Sequence, residues 1–135
     1  MALVLQNCGM VDWRELIMDT IERLTAEILK FREDRNWKQF HNPKDLAISL
    51  VLEATELLEH FQWKTSEEVL SQSDDQNSAL GDELADVLYW VLLISHDLGI
   101  DIEQAFFKKM EKNAQKYPVD KAKDSNRKYT ELHDL

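Results

Sequence analysis

The segment from Leu46 to Lys64, LAISLVLEATELLEHFQWK, limits the possible folds more than any other, because it is apolar around most of a helical circumference. Wound at about 100° per residue, Leu46, Ala47, Leu50, Val51, Ala54, Leu57, Leu58 and Phe61 cover one broad arc, while Ile48, Leu52 and Trp63 cover much of the opposite side. A narrow stripe of Ser49, Glu53, Glu56 and His60 is polar, with Thr55 and Glu59 elsewhere on the wheel. Such a helix needs cover on two sides. One small monomer has too little surface to supply it, so the pattern predicts a homo-oligomer.

The remainder of the chain reads as helix too. Three glycines and two prolines in 135 residues, with no alternating apolar run of strand length, predict an all-α protein. A first long helix is expected from about Asp19 to Trp37, with Ile21, Leu24, Ile28, Leu29 and Phe31 at helical spacing and a shorter turn before it from Asp12. A second follows HNPKD, where Asn42 caps and Pro43 takes the first turn, and runs to about Trp63. TSEEVL resembles a capping arrangement for a short helical piece, and SQSDDQNS reads as a polar loop. A third long helix spans about Ser78 to Leu98, closed by Gly99, and Asp101 caps a fourth that Pro118 stops. The expectation is one domain over residues 1–135, a four-helix bundle-like fold with an extension at 1–18 and a polar, basic tail at 119–135.

Charge narrows the function classes. The formal net charge of −10 argues against nucleic acid as a partner, since phosphate backbones are held by Lys and Arg. Residues 108–128 nevertheless carry eight of the sixteen Lys and Arg against three acids, so this segment is +5 and the rest of the chain −15. A compact basic segment suits a small polyanion, and a solvated helix face would look similar. No window approaches the roughly 18 apolar residues of a membrane span, and MALVLQNCGMVDW lacks the basic n-region of a secretory signal. With Cys8 as the single cysteine and no Cys/His cluster of zinc spacing, a cytoplasmic protein without membrane partners is expected.

The third helix repeats the oddity of the second. In LGDELADVLYWVLLISHDL an apolar face is accompanied by Glu83 and Asp86, so two apolar helices each carry a carboxylate pair at i, i+3, Glu53 with Glu56 and Glu83 with Asp86. If the two helices pack antiparallel, the four carboxylates converge and require a cation, because packed anions repel and lose hydration. An all-oxygen ligand set selects Mg²⁺, or Mn²⁺ in its place, over Zn²⁺. A di-iron bundle would need Glu-x-x-His on two helices, which the chain lacks.

The pattern ExxE, 26 intervening residues, then ExxD resembles the signature of the all-α nucleoside triphosphate pyrophosphohydrolases, the MazG-like superfamily. FREDRNWKQFHNPKDLAISLVLEATELLEHFQWKT, DELADVLYWVLL, KMEKNAQKYP and SNRKYTEL, in that order, look like its dCTP pyrophosphatase branch over about residues 19–132. The resemblance implies Mg²⁺-dependent hydrolysis of a deoxynucleoside triphosphate, most simply dCTP or a modified dCTP, to the monophosphate and pyrophosphate. It makes Glu53, Glu56, Glu83 and Asp86 both the metal ligands and the catalytic set, with Glu53 or Glu56 as the general base.

For the base, the resemblance points to Trp37 and Trp63, with His41 near them, although both tryptophans could equally be core residues. Trp90 stands where the branch leads one to expect tyrosine, with Tyr89 adjacent, a departure that bears on pocket shape and base preference. For phosphates or sugar it points to Lys109, Asn113, Lys116 and Tyr117, and to Arg127, Lys128 and Tyr129, within the basic segment already found by charge. It further implies a tetramer, a dimer of dimers, with sites where chains meet. Two alternatives stay open: the same chemistry on dUTP or a broader set of triphosphates, and a non-catalytic helical oligomerisation module with a structural cation site.

Overall fold

Asn36, at φ 53 in the left-handed region, sets where the first helix stops. In the computed structural model, which describes residues 20–132, helix α1 (Thr20–Asp34) ends short of the expected Trp37. Asn tolerates this conformation better than most residues, and its N–H donates to the Glu33 carbonyl at 2.9 Å, closing the turn. A 3-10 turn over Trp37–Phe40 then turns the chain toward Asn42. The turn expected from Asp12 and the residues around Cys8 lie outside the described residues.

Helix α2 (Pro43–Glu59) begins as read. The Asn42 side chain accepts from the Asp45 N–H at 3.0 Å, and Pro43 gives up a donor that would have no helical partner. Its end differs from the expectation of Trp63. After Glu59 the backbone tightens, with Phe61 and Gln62 both donating to Leu58, and Trp63 turns left-handed at φ 66. A helix cannot pass through that residue. Helix α3 (Ser66–Leu70) has a full capping box: the Thr65 N–H donates to Glu68 Oε2 at 2.6 Å, and the Glu68 N–H donates to Thr65 Oγ1 at 3.2 Å.

Most of the expected polar loop is helical. Helix α4 (Asp74–Asp97) starts inside SQSDDQNS, because Ser73 and Gln76 cap each other. The Ser73 N–H donates to Gln76 Oε1 at 3.0 Å, the Gln76 N–H donates to Ser73 Oγ at 3.4 Å, and Asp74 and Asp75 place negative charge on the first turn. At the other end Gly99, at φ +64, lets its own N–H reach the His96 carbonyl at 3.1 Å and the Ile100 N–H reach Ser95 at 2.8 Å. These are the paired bonds of a Schellman closure.

Helix α5 (Ile102–Lys116) has Asp101 as its cap, accepting from the Gln104 N–H at 2.9 Å. The segment read as a polar tail holds two further turns of helix, α6 (Val119–Ala122) and α7 (Tyr129–Leu132), and Leu132 is 1% exposed. Seven α-helices and no strand make up the described residues, in line with the all-α expectation. No helix among them is long and apolar enough to cross a membrane.

The chain divides into two compact units between Ile94 and Ser95, within α4. In the first, Glu53 meets Trp90 and His60 meets Glu83, so residue numbers rise along α2 as they fall along α4 and the two helices run antiparallel. Among its described residues Ile28, Leu46, Leu92 and Leu93 are the buried apolar side chains, and the Arg32 side chain is buried as well. Among the described residues, cover on α2 is one-sided. Leu46 is buried, but Ile48, Val51, Leu52 and Leu58, which fall within about 120° of one another on the helical wheel, are each at least half exposed.

Candidate active site

Antiparallel packing of α2 against α4 brings together three of the four carboxylates of the two i, i+3 pairs. Glu53, Glu56 and Glu83 each offer a carboxylate oxygen, and these atoms lie within 4.8 Å of one another. Glu53 and Glu83 are half-buried and Glu56 is exposed. Oxygens around a Mg²⁺ at about 2.1 Å stand roughly 3–4 Å apart, so small rotamer adjustments close this triplet on one cation. The donor set is entirely hard oxygen, which fits Mg²⁺ or Mn²⁺.

Beside the triplet, Glu56, Glu59, His60, Lys64 and Glu83 line an open cavity of about 410 Å³. His60 Nε2 stands 3.8 Å from Glu83 Oε1. Three carboxylates against one lysine leave this cavity acidic. Asp86, one helical turn beyond Glu83, is not in the triplet. It lines a second cavity of about 450 Å³ with Glu27, Ile28, Phe31, Trp37 and Tyr89.

That second cavity is bordered by a row of aromatic rings in edge-to-face contact. Phe31 meets Trp37 at 5.8 Å and Tyr89 at 6.4 Å, Trp37 meets His41 at 6.5 Å, His41 meets Trp90 at 5.7 Å, and Tyr89 meets Trp90 at 4.9 Å. Rings held in this way offer apolar faces and edges to a planar ligand. The Trp90 indole N–H donates to Glu53 Oε1 at 3.3 Å, so the aromatic row and the carboxylate triplet touch. Burial pushes the Tyr89 phenol above the usual tyrosine range, against the pull of Arg32 and Arg35 and with a further push from Asp86. Arg35 lies with its guanidinium carbon 3.6 Å from the Phe31 ring centroid and donates to the Phe31 carbonyl at 3.0 Å.

Of the residues singled out in the sequence, Trp37, His41 and Trp90 therefore come together in one cluster. Trp63 does not join it; past the end of α2, it is 94% exposed. Lys109, Asn113, Lys116, Tyr117, Arg127, Lys128 and Tyr129 all belong to the second unit. There the Tyr117 and Tyr129 rings lie 6.1 Å apart, and Lys116 Nζ lies 4.9 Å from the Tyr129 centroid. Phe31, Arg35, Glu27 and Tyr89 were not singled out as site residues. One signal was available, since Phe31 and Arg35 stand at i, i+4 on a single helix face, the spacing of a cation–π pair.

The chain resembles known proteins over most of its length. The chain is 42% identical over 120 residues to dCTP pyrophosphatase 1 of Homo sapiens and 40% identical to that of Mus musculus, covering 87% of this chain and 69% of each relative. A solved structure of a pyrophosphatase from Archaeoglobus fulgidus superposes with a TM-score of 0.68 at 38% identity, covering 73% of this chain and 92% of that one. The MazG-like family matches residues 48–132, a span that holds all three carboxylates of the triplet. The chain belongs to the MazG-like family.

Proposed function

We propose that this protein hydrolyses dCTP, or a modified dCTP, to the nucleoside monophosphate and pyrophosphate as a house-cleaning enzyme of the nucleotide pool. Its likeness to dCTP pyrophosphatases makes it a dCTP pyrophosphatase-like nucleoside triphosphate pyrophosphohydrolase. The observation that carries the finer reading is the Glu53, Glu56 and Glu83 triplet in contact, through Trp90, with an aromatic row. One part suits a cation and its triphosphate, the other a planar base.

Glu53, Glu56 and Glu83 hold the cation in this reading, with Asp86 completing the set from the cavity wall. Mg²⁺ held by these residues would supply charge neutralisation for the triphosphate. Glu53 or Glu56 takes a proton from the water that attacks the α-phosphorus, the bond from the α-phosphorus to the bridging oxygen breaks, and pyrophosphate leaves. Trp37, His41 and Trp90 border the base site, where stacking on an aromatic face contributes about 1–3 kcal/mol. Lys109, Asn113, Lys116, Tyr117, Arg127, Lys128 and Tyr129 are assigned to phosphate or sugar on their chemistry.

A second copy of the chain covers the open face of α2 in the same reading, and a dimer of dimers gives the tetramer. Ile48, Val51, Leu52 and Leu58 support it: half-exposed side chains of this size forgo about 1 kcal/mol each relative to full burial. Light scattering on the purified protein should give the mass of an oligomer, and Leu52→Asp should reduce it. A monomer in the parent protein refutes the assembly.

The activity is tested with Mg²⁺ and a panel of nucleotides. dCTP or a modified dCTP should be turned over fastest, with pyrophosphate released, and Glu53→Gln and Asp86→Asn should abolish turnover while leaving a folded protein. Preference for dUTP or equal turnover of many bases would support the broader-substrate reading. Stabilisation by Mg²⁺ without any turnover would favour the non-catalytic module, and release of orthophosphate alone would exclude the mechanism.

A further inference from the structure

We propose that Trp90 is a positioning residue for the cation cage, holding the Glu53 carboxylate in its ligating orientation through the indole N–H. The inference rests on the reading of Glu53 as a cation ligand. The bond joins α4 to α2 across 37 positions of sequence, with 3.3 Å between Trp90 Nε1 and Glu53 Oε1. An indole N–H is a donor only, and a carboxylate can accept at both oxygens. Trp90 therefore occupies one oxygen of Glu53 and leaves the other for a cation shared with Glu56 and Glu83.

The donor is itself fixed in place. The Trp90 ring meets Tyr89 at 4.9 Å and 78° on one side and His41 at 5.7 Å and 66° on another, so its N–H cannot swing away without breaking two edge-to-face contacts. A free glutamate side chain has rotamer entropy that binding must otherwise overcome. Fixing it beforehand lowers the cost of assembling the cage. Outer hydrogen bonds to ligating carboxylates behave in this way in metal sites generally, and their loss weakens metal affinity by roughly 10–100-fold. The same ring closes the aromatic row that begins at Phe31 and Trp37. One side chain thus joins the aromatic row to the carboxylate it orients.

The test reads the indole directly, with Mg²⁺ alone and no nucleotide. In protein labelled with ¹⁵N at its four tryptophans, the Trp90 indole signal is identified by its loss in Trp90→Phe. Added Mg²⁺ should move that signal saturably, with the dissociation constant that calorimetry gives for the same protein. Trp90→Phe, which keeps an aromatic ring and removes the donor, should raise the Mg²⁺ dissociation constant roughly tenfold, with helix content and particle mass unchanged. Saturation by Mg²⁺ with an unmoved Trp90 signal overturns the inference and leaves the cage intact, as does wild-type affinity in a folded Trp90→Phe. Absence of Mg²⁺ binding in the parent protein overturns the cage reading and this inference together.

Discussion

Glu56→Gln is expected to stabilise the protein in the absence of divalent cation. Glu56 lies no more than 4.8 Å from a carboxylate oxygen of both Glu53 and Glu83. Two unit charges at that distance repel by about 0.9 kcal/mol even at the dielectric constant of water, and Glu56 is exposed enough for that limit to apply. Salt at physiological strength, with a screening length of about 8 Å, removes somewhat under half. Relief of both repulsions therefore contributes about 1–2 kcal/mol. For a chain of this size that is a rise of roughly 4–8 °C in Tm. Glutamine and glutamate have similar helix propensities, so the exchange changes little else on α2. Glu56 also sits in the last turn of that helix, where negative charge opposes the dipole. Glu59→Gln, in the same turn but outside the triplet, measures that contribution by itself.

The assay is thermal unfolding in EDTA and again in Mg²⁺ at about one hundred times its dissociation constant, where a bound ligand adds about 2.7 kcal/mol. The parent protein should gain strongly from Mg²⁺ and Glu56→Gln much less, so the order seen in EDTA narrows or inverts. Two results would refute the reasoning. Either Glu56→Gln melts below the parent in EDTA, or Mg²⁺ raises both proteins equally.

Two further outcomes follow from the structure. Because burial raises the Tyr89 pKa, the neutral phenol is favoured in the folded state, and its contribution to stability is complete below about pH 10. That contribution is lost as pH rises through the folded-state pKa, so the tyrosinate absorbance missing from Tyr89→Phe should develop above the ordinary range; development at or below it contradicts the assignment. Ser73→Ala removes the hydroxyl that caps α4 and should cost about 1 kcal/mol in urea unfolding. No measurable loss would deny that the helix is capped there.

How far the sequence could be read depended on whether a feature was local. Asn42 with Pro43, Thr65 with Glu68, Gly99 and Asp101 all act within a few residues of chain, and each does in the structure what its type and spacing foretold. Ser73 and Gln76 carry an equally local signal, yet the composition of SQSDDQNS matches that of loops. The reciprocal spacing, Ser followed three residues later by Gln, was the better guide. Trp37 and Trp63 lie beyond helix ends because Asn36 and Trp63 take left-handed conformations, and a tryptophan at positive φ has no sequence signal. The carboxylate triplet was legible because i, i+3 spacing fixes one side of each helix. The cavity walls were not. Phe31 and Tyr89 have ordinary core spacing, and whether such a residue fills a core or borders a space depends on distances between helices that periodicity does not encode.

Trp63 has an optical consequence. It stands on the tight turn that closes α2, with the Lys64 N–H bonded to the Phe61 carbonyl at 3.1 Å, and its indole is 94% exposed. Trp90, by contrast, has its ring packed on two sides and its N–H engaged. Trp63 and Trp90 therefore emit from different surroundings, Trp63 to the red and open to acrylamide, Trp90 shielded and to the blue. The part of the emission lost in Trp63→Phe serves as a label-free gauge of whatever comes to lie over residues 61–64, and the part lost in Trp90→Phe reports on the ring whose N–H is bonded to Glu53.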